Sequence, residues 1–322
     1  MDTQKYRIGI VGLGPVGMIL AVHFKQAGCR VAICDSNHDK IELIKEQGIN
    51  LFGALDKSAS FKEIYYSLDD LLDSKVDLLV SCVKTYRVKS IIETIKNHKS
   101  DFHLLSAQNG IDIGQKYIEC VDESKILRMV INFAGNYAGL NEIKVSFSKP
   151  PHLIASINDM CTDVAEWIAS ILTFTDQETR VIDSFSIFDE VWKKTILVSS
   201  ISPLCGISKL TIKEAMKSSD TIEVIEQTLL ESMQVAKAEG IKFDDNFVKI
   251  CLRDLRNTGD HFPSLGVDIL NGGETEIDYN NGKIVDYGRK HYIQTPLNLT
   301  FTNLVNAVSN KNLGKILKIY KM

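Results

Sequence analysis

No charge surplus, leader, long apolar run or paired cysteine marks this sequence out, and each absence removes a class of function. Lysine and arginine total 37 against 41 acidic residues, a formal charge of −4. Nothing electrostatic therefore recommends nucleic acid or an acidic membrane as a partner. No stretch approaches the roughly 18 uninterrupted apolar residues of a membrane span. The opening MDTQKYRIGIVGLG has no charged-then-apolar signal layout, and a cytoplasmic location is expected. The seven cysteines (Cys29, Cys34, Cys82, Cys120, Cys161, Cys205 and Cys251) are odd in number, scattered and never spaced C-x-x-C. That pattern reads as buried thiols in a reducing compartment, not as disulfides or a zinc site. The seven histidines form no H-E-x-x-H or similar cluster, so no metal is expected. No internal repeat stands out.

What is present is ordinary globular material in an informative order. A chain of 322 residues, 44% hydrophobic and 24% charged, is long enough for two cores. Short apolar runs at Arg7 to Val11, Arg30 to Asp35, Asp77 to Val83, Phe102 to Ser106 and Ile126 to Ile131 read as strands. Helical patterns at Val16 to Ala27, stopped by Gly28, and at Ser90 to Asn97 lie between them. Nearly continuous apolar strands separated by helices predict a mostly parallel sheet covered on both faces. The texture changes to extended, proline-interrupted sequence around Lys144 to Ile157, then a helix near Asp159 to Ile171 and a strand ending at Ile182. From Ser184 onward long helical patterns dominate: Ser186 to Ser200, Thr221 to Glu239 with Gly240 as its stop, and Asn298 to Val308. A boundary is expected near Asp183, between an α/β domain over 1–183 and an all-α domain over 184–322.

Gly12-Leu13-Gly14-Pro15-Val16-Gly17 is a G-x-G-x-x-G directly after the first strand and opening the first helix. In such a loop the first glycine makes the turn, the second admits the pyrophosphate and the third lets helix and sheet pack. The helix N-terminus offers unpaired N–H groups to the phosphates. Asp35 follows Gly17 by 18 residues, at the end of the second strand, where a carboxylate binds ribose hydroxyls and repels a 2′-phosphate. The pattern predicts a Rossmann dinucleotide-binding domain, with Gly12, Leu13, Gly14, Pro15, Val16, Gly17 and Asp35 at the cofactor. Residue chemistry tilts the choice towards NAD. Asp35 reads equally as a cap for the next turn and helix, and His38 and Lys40 stand close enough to meet a phosphate.

Further segments, taken in order, make the chain resemble the ketopantoate reductase (2-dehydropantoate 2-reductase) family. They are Val83-Lys84-Thr85-Tyr86, Gln108-Asn109-Gly110-Ile111, Trp192-Lys193-Lys194, Pro263-Ser264-Leu265-Gly266-Val267-Asp268, Thr275-Glu276-Ile277-Asp278-Tyr279 and Thr295-Pro296-Leu297-Asn298. The resemblance implies a Rossmann domain joined to a helical one and reduction of a 2-oxo acid to a 2-hydroxy acid with NADP or NAD, the family leaning to NADP. It puts Lys84 and Asn109 at cofactor or substrate, Lys194 as the catalytic lysine, Ser264 at the substrate, and Glu276 as a catalytic and cofactor-side acid. A protonated lysine suits this chemistry, because hydride delivery to a ketone builds negative charge on its oxygen. From the residues alone the same positions read more plainly. Lys193 and Lys194 are a common helical pair, Ser264 a helix cap, Glu276 a loop acid, and Asn109-Gly110 a turn.

The sequence departs from the family at the substrate. Positions four and eight past the lysine, asparagines in the family, are Val198 and Ser202, and a third is His261. Both Val198 and Ser202 are placed in the substrate site, where valine cannot hydrogen-bond, so a more apolar 2-oxo acid than ketopantoate is favoured. Two alternatives stay open: a relative acting on another hydroxy acid or an opine, and a non-catalytic dinucleotide sensor. A small-molecule substrate is the expected partner, with no nucleic acid and no membrane; a homodimer is compatible with the sequence.

Overall fold

A computed structural model of the protein describes residues 2–98 and 101–314. They form two compact units, divided between residues 187 and 188. The division falls in the first turn of one helix, a few residues beyond the boundary that the change in sequence texture suggests.

The first unit begins with β1 (Arg7–Val11), α1 (Pro15–Gln26), β2 (Arg30–Cys34), α2 (His38–Gln47), β3 (Ile49–Gly53), β4 (Lys57–Ala59) and β5 (Glu63–Tyr65). It continues with α3 (Leu68–Asp73), β6 (Leu78–Ser81), α4 (Val88–Asn97), β7 (His103–Ser106), α5 (Ile113–Lys116) and β8 (Ile126–Val130). It closes with β9 (Phe133–Tyr137), β10 (Glu142–Ser148), β11 (His152–Ser156), α6 (Thr162–Phe174) and β12 (Thr179–Val181). Eight strands make one sheet in the order β12-β11-β8-β7-β6-β1-β2-β5, parallel except where β11 meets β8. The apolar runs at Arg7, Arg30, Asp77, Phe102 and Ile126 become its centre, as their composition predicts.

A second, four-stranded sheet, β4-β3-β10-β9, is not evident in the sequence. It packs over α1, which touches β9, β4, β10 and β3. This explains the unusual composition of α1. Eight successive residues, Gly17 to Phe24, are buried, and a helix apolar all round belongs between two layers.

One of those eight is a histidine. His23 is fully buried, and burial, with Lys57 and His152 adding to it and Asp176 opposing, pushes its imidazole down to about 4. The unfolded chain takes a proton at the ordinary histidine value near 6.5, whereas the native one waits until about 4. Stability from this group is complete above pH 6.5 and drains away as pH falls towards 4. Going from pH 7 to pH 5 should cost about 2 kcal/mol through His23. Urea unfolding at the two pH values checks this. In His23→Leu the difference should shrink by that amount, and an unchanged difference would assign the acid sensitivity elsewhere.

The second unit holds most of α7 (Ser184–Ser208), then α8 (Ile212–Ala215), α9 (Ser219–Ala238), α10 (Phe247–Arg256), α11 (Ser264–Leu270), α12 (Asn281–Lys290) and α13 (Pro296–Asn312). A short 3-10 turn, Ile277–Tyr279, precedes α12. Helices α9, α12 and α13 pack on one another, and Leu265, Ile269, Ile277 and Val305 form a local core. No helix among the described residues is long and apolar enough to cross a membrane. The seven cysteines are free; burial raises their thiols, Cys34, Cys205 and Cys251 each to about 12.

Candidate functional site

In the first unit the site follows from strand register. Val11 of β1 pairs with Cys34 of β2 and with Ser81 of β6, and Ser81 pairs with Ser106 of β7. Four parallel strands therefore end level. The chain leaves them at Gly12, Asp35, Cys82 and Ala107, all on one edge. Chain order runs outward from β1 in both directions, through β2 on one side and β6, β7 and β8 on the other. Ligands of open α/β sheets bind at such a reversal, beyond the carboxyl ends. Sequence-predicted Gly12, Leu13, Gly14, Asp35, Lys84 and Asn109 belong to these loops, and Pro15, Val16 and Gly17 open α1 directly after the first of them.

The three glycines do different work. Gly12 has φ +90, and a Cβ there would lie 2.7 Å from the Val83 amide nitrogen. A Cβ on Gly17 would lie 2.0 Å from the Gly12 carbonyl oxygen. Both are required by the chain's own packing. Gly14 is different: the nearest atom to its hypothetical Cβ is the Tyr137 hydroxyl at 3.8 Å, and its backbone is extended (φ −75, ψ −178). The protein leaves open space where the second glycine of the motif meets a pyrophosphate. Gly14 is also the N-cap of α1, with no side-chain cap and no acid in the first turn. Pro15 brings no N–H to this turn, but the amides of Val16 and Gly17 have no carboxylate placed to compete with an anion.

Leu13 is fully buried and its backbone is committed. Its N–H donates to Asp35 Oδ2 (2.7 Å), and its carbonyl accepts from Lys40 Nζ (3.0 Å) and Tyr137 Oη (2.9 Å). Any contact of Leu13 with a dinucleotide is thus by van der Waals packing. Asp35 accepts the Asn37 N–H on Oδ1 (2.9 Å) and Lys40 Nζ on Oδ2 (3.2 Å). It therefore pins the glycine loop and turns the chain into α2, whose own cap is Asn37. Lys40 points inward, its side chain only 9% exposed, and also reaches Tyr137 Oη (3.1 Å). Tyr137 was not signalled by the sequence. It comes from β9, 97 residues on from Lys40, and no local pattern announces that pairing.

Lys84, half-buried, precedes a 3-10 turn, Thr85–Arg87. Asn109 is half-buried beside Gly110 (φ +104). Its loop is shaped from beneath by Arg128, which is 4% exposed. The guanidinium donates to the carbonyls of Ser106 (3.2 Å), Gln108 and Gly110 (3.3 Å), and burial lowers it to about 10. Gln108 adds a second anchor: its Nε2 donates to Ser81 Oγ (2.9 Å) and Tyr117 Oη (2.8 Å). The ends of β6 and β7 are thereby tied together under Lys84 and Asn109.

In the second unit Lys194, Val198 and Ser202 are successive members of one helical face, spaced by four on α7. Lys194 and Val198 are half-buried and Ser202 is 2% exposed. Just before them, the Trp192 ring meets Tyr287 of α12 edge-on at 5.1 Å. Lys193 Nζ is bonded to Glu190 Oε1 at 2.8 Å, one turn back. Ser264 is the exposed first residue of α11, with Pro263 rather than the serine in the cap position. A Cβ on Gly206 of α7 would lie 3.2 Å from the Cα of Gly266, so these two helices cross backbone to backbone and bring Ser264's helix against α7. Glu276 is half-buried and immediately precedes the 3-10 turn. Among the described residues no group of three His, Cys, Asp or Glu is placed to hold a metal ion.

Two family models match the chain: "Ketopantoate reductase PanE/ApbA" over residues 8–152 and "Ketopantoate reductase PanE/ApbA C terminal" over 186–309. The 2-dehydropantoate 2-reductase of Pyrococcus horikoshii is 27% identical over 305 residues, covering 94% of this chain and 97% of its own. That of Pyrococcus abyssi is 25% identical over 311 residues, covering 94% and 97%. Among solved structures, D-mandelate dehydrogenase with NADH and anilino(oxo)acetate shares the fold with a TM-score of 0.81 at 24% identity, covering 95% of this chain and 98% of that one. A PanE/ApbA family ketopantoate reductase from Ralstonia eutropha has a TM-score of 0.81 at 22% identity, covering 95% and 99%.

Proposed function

The chain belongs to the ketopantoate reductase family, and from that premise we propose that it is a nicotinamide-dinucleotide-dependent oxidoreductase reducing a 2-oxo acid to a 2-hydroxy acid. The observation that carries the cofactor assignment is Gly14: its side-chain space is open, although its two partner glycines are locked in by contact. Gly14, Pro15, Val16 and Gly17 would hold the pyrophosphate, with Gly12 and Leu13 shaping the loop. Asp35 would meet the adenine-side ribose, and Lys84 and Asn109 would border the reacting end. When bound, the dinucleotide supplies a hydride.

The chain's own residues then handle the charge that reduction creates on the substrate oxygen. Lys194 is assigned to that oxygen, as a cation that stabilises it and a proton donor that neutralises it. Lys193, which pairs with Glu190, is not the lysine that the family resemblance puts at the reacting oxygen. Glu276 would orient the Lys194 ammonium or accept a substrate hydroxyl. Ser202 and Ser264 offer hydroxyls to the substrate, whereas Val198 offers only apolar surface.

Two finer readings follow. Asp35 favours NADH at least as much as NADPH, since a 2′-phosphate would face a carboxylate. Val198 favours a 2-oxo acid less polar than ketopantoate. In keeping with both, D-mandelate dehydrogenase, of the same fold, was solved with NADH and anilino(oxo)acetate. Steady-state oxidation of NADH and NADPH against a panel of 2-oxo acids tests the proposal. NADH should be used at least as efficiently as NADPH, and an apolar 2-oxo acid should outperform ketopantoate. Val198→Asn should raise kcat/KM for ketopantoate roughly tenfold, one hydrogen bond's worth. Best efficiency on ketopantoate itself would restore the plain family assignment. Absence of turnover with every acid would leave a dinucleotide sensor.

A further inference from the structure

Helix α7 contains Pro203, nine residues after Lys194. In an α-helix the carbonyl of Ser199 accepts the N–H of residue 203, and proline has none. Ser199 is fully buried, so water does not replace the missing donor. Asn281 does: its Nδ2 lies 3.0 Å from the Ser199 carbonyl oxygen. Asn281 is the first residue of α12 and is also fully buried.

The orientation of that amide is dictated from further away. Glu231 of α9 accepts the backbone N–H groups of Leu297 and Asn298 at 2.9 Å each, at the start of α13. A carboxylate only accepts, so the Asn298 side chain must turn its Nδ2 to Glu231 Oε1 (2.7 Å), with Ser232 Oγ taking the second proton (3.0 Å). Asn298 Oδ1 is then left facing Asn281 Nδ2, at 3.0 Å. Both protons of each amide are thereby used, and Asn281 has one orientation available.

Ser199 stands five residues after Lys194, and Asn281 five residues after Glu276. We propose that Asn281 is a positioning residue: by donating to the carbonyl that Pro203 leaves open, it fixes the Lys194 helix against the Glu276 turn. The inference rests on the roles proposed for Lys194 and Glu276. Pro203 makes the lock possible, since a helix with its own N–H at 203 would have no need of α12 at this point.

The test is a cycle of Asn281→Leu, Pro203→Ala and the double variant, assayed for kcat and KM at a temperature where circular dichroism shows each to be folded. Asn281→Leu should lose kcat roughly thirtyfold with KM for the dinucleotide unchanged. Pro203→Ala should stay near wild type. The double variant, in which Ser199 regains a helical donor but no bond to α12, should stay as low in kcat as Asn281→Leu. If Asn281→Leu does not fold, Asn281→Ser, too short to reach Ser199, takes its place. A folded Asn281 variant with wild-type kcat would overturn the inference, whatever its melting temperature. So would rescue of kcat by Pro203→Ala, which would trace the loss to an unpaired carbonyl and not to the missing tie. An inactive wild type would instead overturn the functional reading beneath it, with the inference falling along with it.

Discussion

Replacing Lys194 with alanine should lower kcat on the best 2-oxo acid by roughly 10²–10³, the usual loss when one group that stabilises a developing oxyanion is removed. Lys193→Ala should stay within about twofold of wild type, the scale of a lost surface ion pair. The two lysines are adjacent in sequence, so their contrast removes general effects of charge or helix propensity. Lys193 spends its ammonium on Glu190 at 2.8 Å, and Lys194 shares its helical face with Val198 and Ser202. The loss should fall on kcat and kcat/KM alike with dinucleotide affinity unchanged, because an alkoxide exists only late in the reaction. Equal losses from the two alanines would mean that the assignment between neighbours is wrong.

How much of this was readable beforehand depended on whether the determining contact was local. The β1–α1–β2 unit was legible because its turn residues, its apolar runs and Asp35 all lie within 35 residues. The second sheet was not. Its strands include KSA and FAGNY, which carry no alternation, and β3 pairs with β10 across some ninety residues (Asn50 with Glu142). Local propensity is weak beside such pairing. The largely apolar run of α1 from Val16 to Phe24, broken only by His23, was the available hint that something covered it. The same divide runs through the site. Gly12 to Gly17 announced themselves, whereas Tyr137 and Lys40, which clamp the Leu13 carbonyl, meet only through the fold. Lys40 looked free to meet a phosphate and is instead turned inward. The choice between Lys193 and Lys194 came from the family resemblance, through the position of Lys194 two residues after Trp192. Pro203 was visible in the chain, but its consequence lies with Asn281, 78 residues on.

The glycine loop gives the second large effect. Gly14→Val should leave the melting temperature close to wild type, because its Cβ would find nothing nearer than the Tyr137 hydroxyl at 3.8 Å and the backbone there is extended. The same variant should bind NADH at least about a hundredfold more weakly, since the added methyls occupy the pyrophosphate's place. Gly17→Val should behave in the opposite order. Its Cβ would sit 2.0 Å from the Gly12 carbonyl oxygen and 3.2 Å from Cys82 Cβ, so α1 must move off the sheet before any ligand is considered. Overpacking of this kind costs about 1–3 kcal/mol or more, and α1 is the layer shared by both sheets, so the loss should appear directly in the melt. Thermal unfolding and fluorescence titration with NADH on the two purified variants separate the cases. Wild-type NADH affinity in folded Gly14→Val would remove the loop from the cofactor site. Equal destabilisation in both variants would show that Gly14, like its neighbours, is held by the protein and not by a ligand.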